Sequence, residues 1–257
     1  MAEQVGGTII NADASQVYRD LRILSARPST EEEARVPHRL FGHRDGATAC
    51  SAADWAGEAT VAIAEAQAAG RLPILVGGTG LYIRTLLDGI APVPGIDPTV
   101  RADVRAMPVA DAYAALQDED PTLAARLHPH DTTRVQRALE VVRSSGISLT
   151  QWRETAVGGI RNTVALTREV IDPPVAELYA RCDARVDCMV ADGALEEVEA
   201  LIERRLDPAL PVMRAIGVVP FAAYLAGDST LEEAVAAVRQ ATRNYAKRQR
   251  TWLRKHG

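Results

Sequence analysis

The stretch 72-LPILVGGTGLYIRTLLDG-89 decides the fold. Leu72 to Val76 is a short, continuous apolar run, the pattern of a strand covered on both faces. Gly77-Gly78-Thr79-Gly80 then turns the chain, and Leu81, Leu86 and Leu87 support a helix directly after it. Upstream, 51-SAADWAGEATVAIAEAQAA-69 reads as an Ala-rich helix with Ser51 as N-cap, Asp54 three positions on and Gly70 as its stop. Further upstream, in 8-TIINADASQVYRDL-21, the β-branched run Thr8-Ile9-Ile10 stops at Asp13 and a polar cluster follows. Strand, helix, strand, Gly-rich turn, helix is the order of a parallel α/β sheet.

Two strand ends in this pattern carry residues with chemistry. Asp13 has a bland reading, as a turn residue or the N-cap of the next helix. It also has a sharper one, because ligands of open parallel sheets bind outside the carboxyl ends of the strands. The stretch alone weighs the two evenly. Gly77 and Gly78 could bring backbone N–H groups up to an anion, or could serve a tight turn for steric reasons alone. The nucleotide-phosphate pattern G-x-x-x-x-G-K-[ST] does not occur, and the only lysines are Lys247 and Lys255, so no displaced phosphate loop is hidden elsewhere.

The remaining organisation follows from punctuation. With 257 residues, 47% hydrophobic and 25% charged, the chain can bury a full core as one large domain or as a core with an insertion. The Pro-rich stretch 91-APVPGIDP-98 marks a boundary, after which residues 99 to about 145 are helical with breaks around Pro108, Pro121 and Pro129. The segment 161-RNTVALTREVID-172 has the β-branched content of a returning strand, and from Pro174 onward the pattern is helical again. An α/β core over 1–92 and 158–257 with a helical insertion over 93–157 is therefore expected. No apolar run reaches the length of a membrane span and no signal pattern opens the chain, so a cytoplasmic monomer is expected. Cys50, Cys182 and Cys188 form no CxxC pair, and His128-Pro129-His130 reads as a loop, so no protein metal site is expected.

The net charge of -5 conceals an asymmetry. No acid follows Glu233, yet Arg239, Arg243, Lys247, Arg248, Arg250, Arg254 and Lys255 do. Leu231, Val235, Val238, Thr242, Tyr245, Gln249 and Trp252 recur at helical spacing as a docking stripe, while Arg239, Arg243, Lys247 and Arg250 line a second face. Like charges at this spacing repel, so a basic stripe without acids costs stability and reads as nucleic-acid contact rather than as a solvated surface. A second basic cluster, 133-TRVQRALEVVR-143, would by itself be an ordinary helix.

INADASQVY, VPHRL, CSAADW, LPILVGGTGLY, IDPTVRA, RLHPHDTTRVQRALEV, MRAIGV and YAKRQRTWLR occur in this order and cover nearly the whole chain. Together they resemble the tRNA dimethylallyltransferase family. The resemblance implies a nucleotide-binding, P-loop NTPase-like parallel sheet flanked by helices, with a mainly helical insertion. It implies transfer of a dimethylallyl group from dimethylallyl diphosphate to N6 of the adenosine 3′ of the anticodon, with Mg2+ as cofactor and the tRNA anticodon stem-loop as partner. By position, Asp13 matches the catalytic acid, and Asp13, Ala14, Ser15 and Gln16 match the segment that touches the target nucleotide. Thr79, Thr133, Arg134, Val135, Gln136 and Arg137 match tRNA-contacting positions, and Arg101 is a further one.

The pattern departs from the family at its start. In relatives a first strand and a phosphate loop ending in Gly-Lys-Ser/Thr precede the helix whose end corresponds to Ala2 to Gly7, and this sequence begins inside that helix. The diphosphate cradle and the hydroxyl expected to hold Mg2+ are then absent, and apolar sheet edges are expected to be exposed. A start codon assigned too late, or a fragment, is favoured over a shortened paralogue, because the acid, the tRNA-contacting segments and the basic helix persist. The alternative to an active enzyme is a catalytically inactive tRNA-binding remnant.

Overall fold

The computed structural model describes residues 1–256, which fall into two compact units, Met1–Leu86 with the chain from Ala165 onward, and Leu87–Val164. The first unit holds β1 (Gly7–Asn11), β2 (His38–Arg39) and β3 (Leu72–Val76), joined as a parallel sheet in the order β2-β1-β3. Around them lie α1 (Ala2–Val5), α2 (Thr30–Arg35), α3 (Ala52–Ala68) and α4 (Gly80–Asp88), the last two residues of α4 belonging to the second unit. The parallel α/β order read from the sequence is the order found.

α3 begins at the expected place for the expected reason. Ser51 accepts from the Asp54 amide while the Asp54 carboxylate accepts from the Ser51 amide, a reciprocal capping box. The helix buries Trp55, Ala59, Ala62, Ile63 and Ala66, one face whose small alanines let it lie close to the sheet.

Two expectations fail at the sheet. β3 is not covered on both faces: Leu72 is 54% exposed and Val76 49%, and among the described residues β3 is an outer strand with β1 as its only neighbour. The segment 161–172 is not a strand; it is a turn followed by irregular chain, with Leu166, Val170 and Ile171 exposed. β-branched content raises strand propensity, but a strand forms only where a partner edge and a packing face are available. Among the described residues this segment has neither.

The second unit is helical: α5 (Pro98–Ala106), α6 (Val109–Glu119), α7 (Pro121–Ala124), α8 (Thr132–Ser145) and α9 (Leu149–Glu154). Asp97, Asp120 and Asp131 cap α5, α7 and α8 through their side chains, and Pro98 and Pro121 open helices where a missing N–H costs nothing. Val104, Leu116, Leu123, Val135 and Leu139 form its core.

The first unit resumes with α10 (Val175–Ala191), α11 (Ala194–Glu203), a 3-10 turn (Pro211–Arg214), α12 (Val218–Leu225) and α13 (Leu231–His256). α13 packs on α10 and α12. Its buried seam is Ala234, Val238, Thr242 and Ala246, a recurrence every four residues, with Tyr245, Gln249 and Trp252 half-buried beside it. The docking stripe read from the sequence is thus rotated toward the alanines, whose small side chains allow close helix approach. No helix among the described residues is long and apolar enough to cross a membrane.

Candidate active site

The ends of β1 and β3 are stitched together. The Ala12 amide donates to the Val76 carbonyl at 2.8 Å, the Thr79 amide to the Ala12 carbonyl at 3.2 Å, and the Ala14 amide to Thr79 Oγ1 at 3.0 Å. Asn11 then brackets the next residue but one. Its Oδ1 accepts from the Asp13 amide at 2.8 Å, and its Nδ2 donates to the carbonyls of Asp13 and Leu40, each at 3.0 Å. Trp55 of α3 donates its indole N–H to the Asn11 carbonyl at 2.9 Å, so the sheet-covering helix also holds the loop that follows β1.

Both readings of Asp13 have a part in the structure. Its Oδ1 accepts from the Ser15 amide at 2.8 Å, as a turn residue's would. The same side chain borders a cavity of about 280 Å³ whose wall also contains Ser15, Gln16, Arg185, Tyr245 and Gln249. Burial pushes the Asp13 carboxyl above its ordinary range, outweighing the Ser15 and Gln16 amides and the Arg185 charge that pull it down. Such a carboxylate is a stronger base than one in water.

The rest of the cavity comes from α10 and α13. Arg243 pairs with Asp183 and Arg239 with Asp187, so the two helices run antiparallel. Met189 and Val238 therefore sit toward an apolar end, and Arg181, Tyr245 and Gln249 toward the other. Burial, and next the Asp13 charge, raise the Tyr245 hydroxyl, while the neighbouring Thr79 and Gln249 side chains draw it down. Arg181 and Arg185 are functional candidates that sequence reading missed. A signal was present: they share a helical face with Cys182 and Met189, an odd place for a cation on an amphipathic helix.

The turn glycines have a packing reason. A Cβ on Gly77 would lie 2.3 Å from the Ala12 carbonyl carbon, one on Gly78 would lie 2.0 Å from the Gln249 amide nitrogen, and one on Gly80 would lie 2.3 Å from the Trp252 ring. The steric alternative that the sequence offered for Gly77 and Gly78 thus has a concrete basis: the Ala12 backbone at Gly77 and the Gln249 side chain of α13 at Gly78.

The RNA-directed positions divide. Thr133, Arg134 and Arg137 are exposed on α8, and Arg101 is exposed on α5. Val135 is fully buried in the second unit's core, and Gln136 donates to the Val104 carbonyl at 3.4 Å. Helical periodicity turns Val135 inward, so its side chain cannot meet RNA. On α13 the premise of a stripe without acids fails: Arg239, Arg243 and Arg250 pair with Asp187, Asp183 and Asp172. Lys247 is exposed and has no ion pair among the described residues.

Among the described residues no three His, Cys, Asp or Glu side chains gather in a metal-holding group. Asp13 is the only acid on the cavity wall and is engaged by Ser15. The donors present do not make a protein site for Mg2+, an ion that needs several oxygens in near-octahedral array.

The family model described as IPP transferase matches residues 16–256. The chain belongs to the IPP transferase family. Among curated relatives, a tRNA dimethylallyltransferase of Sphingopyxis alaskensis is 61% identical over 99% of this chain and 83% of that protein. One of Novosphingobium aromaticivorans is also 61% identical, over 96% of this chain and 88% of its own length. Of solved structures, the tRNA isopentenylpyrophosphate transferase of Bacillus halodurans superposes with a TM-score of 0.65 at 33% identity, covering 98% of this chain and 80% of that one. A eukaryotic dimethylallyltransferase acting on tRNA gives 0.80 at 27% identity, covering 98% and 64%. In this IPP transferase three of the sequence motifs meet at the cavity: Asp13, Ser15 and Gln16 from the first, Ala215 and Ile216 from MRAIGV, and Tyr245 and Gln249 from the C-terminal helix.

Proposed function

We propose that this IPP transferase moves a dimethylallyl group from dimethylallyl diphosphate to N6 of the adenosine 3′ of the anticodon in tRNA, with Asp13 as general base. The supporting observation is a half-buried carboxylate at the carboxyl end of β1, made more basic by burial and bordering a cavity that has cations and an apolar end. The exocyclic amine of adenine is a poor nucleophile because its lone pair is delocalised into the ring. Its attack forms the N6–C1 bond of the prenyl group, the C1–O bond breaks with its electron pair leaving on diphosphate, and the amine's proton passes to Asp13. Arg185 carries no ion pair among the described residues and supplies positive charge where the leaving group's charge develops. The apolar end suits the prenyl chain, and the adenine leaves its stack to enter. Mg2+ enters this reading only as a companion of the donor's diphosphate, not as a ligand of Asp13. Thr133, Arg134 and Arg137 hold the anticodon stem-loop through its phosphates.

The test is transfer of labelled dimethylallyl to tRNA by the wild type and by Asp13→Ala. Turnover is expected to fall roughly a hundredfold or more while tRNA affinity is retained. Equal loss of both would make Asp13 a turn cap, and binding without wild-type turnover would leave the inactive remnant. Because the carboxyl is raised, the acid limb of the rate profile is expected above the ordinary carboxylate range of about 4. The same shift has a stability sign. The native state holds this proton more tightly than the unfolded chain, so stability falls as pH rises through the raised value. Asp13→Asn is therefore expected to raise the melting temperature at neutral pH, with the gain fading as pH drops through that value.

A further inference from the structure

Gln16 is held so that its amide can show the cavity one chemistry only. Its Nε2 donates to the carbonyls of Ser25 at 3.0 Å and Ala26 at 3.1 Å, which uses both amide protons. Two carbonyls also decide the amide's orientation, since Oε1 in their place would face lone pairs. Gln16 lines the cavity beside Asp13, and Oε1, an acceptor, is what it has left for a ligand.

The two carbonyls belong to irregular chain, and one distant side chain anchors it. Glu197 of α11 accepts from three successive amides: Arg22 and Ile23 reach Oε2 at 2.7 and 2.8 Å, and Leu24 reaches Oε1 at 2.9 Å. Consecutive amides converging on one carboxylate form an anion-binding nest with charge-assisted bonds. Ser25 and Ala26 follow directly. Neighbouring Glu196 and Glu199 are exposed, so the bond to this loop is particular to Glu197.

We propose that Glu197 is a positioning residue for base selection: by anchoring residues 22–24 it holds the carbonyls that orient Gln16, so the cavity presents a fixed acceptor that selects a purine bearing an exocyclic amino group. This rests on the reading that the cavity receives the extruded adenine. That amine has two protons; Asp13 takes one and Gln16 Oε1 meets the other. A purine without the amine leaves Oε1 dehydrated and unpaired, which penalises it.

The experiment uses anticodon stem-loops carrying adenosine or purine riboside at the target position, with binding to the full chain followed by fluorescence anisotropy. The wild type is expected to prefer adenosine by roughly tenfold or more. Glu197→Gln turns an N–H donor toward the nest; it is expected to narrow the preference to about twofold or less and to speed hydrogen exchange at Arg22, Ile23 and Leu24. Gln16→Leu leaves the nest intact and is expected to lose the same preference, and the double variant to lose no more than either single one. A folded Glu197→Gln that keeps the wild-type preference overturns the inference, as do additive losses in the double variant. Should Glu197→Gln fail to fold, Gln16→Leu decides alone, and a retained preference overturns the inference. A wild type that binds both stem-loops equally sinks this inference and spares the tRNA reading, whereas a wild type that binds neither sinks both.

Discussion

α8 and α13 both carry arginines that look, in sequence, like ligands for RNA, and the structure uses them differently. On α8, Arg134 is 74% exposed and meets only Asp131 of its own N-terminal cap, at 3.4 Å. On α13, Arg243 makes a two-pronged contact with Asp183 of α10 at 2.7 and 2.8 Å, and Arg239 and Arg250 have acidic partners outside their helix too. An i,i+3 pair at the surface is weak and easily exchanged for a phosphate. A guanidinium held by both carboxylate oxygens of another element is already committed. A charge run is therefore judged by what faces it across the fold, not by its own helix.

The contrast can be broken in three ways. The largest effect should come from Gly80→Ala, whose new methyl would press on the Trp252 ring and lift the end of α13. Overpacking of this kind costs roughly 1–3 kcal/mol, read by denaturant unfolding with tryptophan fluorescence. No change in stability would mean that α13 is not seated on the glycine turn. Next, Arg134→Ala should weaken stem-loop binding about fivefold and lower the slope of log affinity against log salt by about 1, with stability unaltered within about 0.5 kcal/mol. The smallest effect is assigned to Arg243→Ala, a loss of up to about 1 kcal/mol of stability for a half-exposed pair, with the salt slope of RNA binding unchanged. Were Arg243→Ala to reduce that slope as Arg134→Ala does, the division between the two helices would not hold.

Much of the site was legible in advance where a residue acts through its neighbours in sequence. Asp13, Ser15 and Gln16 lie within four positions; a strand ending in an acid drew attention to Asp13, and the family resemblance extended it to Ser15 and Gln16. Arg181 and Arg185 were not singled out, because α10 reads as an ordinary amphipathic helix until α13 is laid against it. The acids that neutralise α13 escaped for the same reason: Asp183 and Arg243 are 60 positions apart. Sequence left Gly77 and Gly78 open between an anion contact and a tight turn, because the Gln249 side chain that fills the space at Gly78 comes from the far end of the chain.

The amino-acid order alone determined the alternation of strands and helices, their caps, the acid after β1 and the family, since periodicity, capping and motif order are local properties that survive without coordinates. Only the tertiary structure decided that β3 is an outer strand, that residues 161–172 form none, that the α13 arginines are neutralised, and that Glu197 holds the loop behind Gln16. Each of these depends on which distant groups meet, and the energy of an ion pair, a buried face or an anchored loop exists only once both partners are in contact.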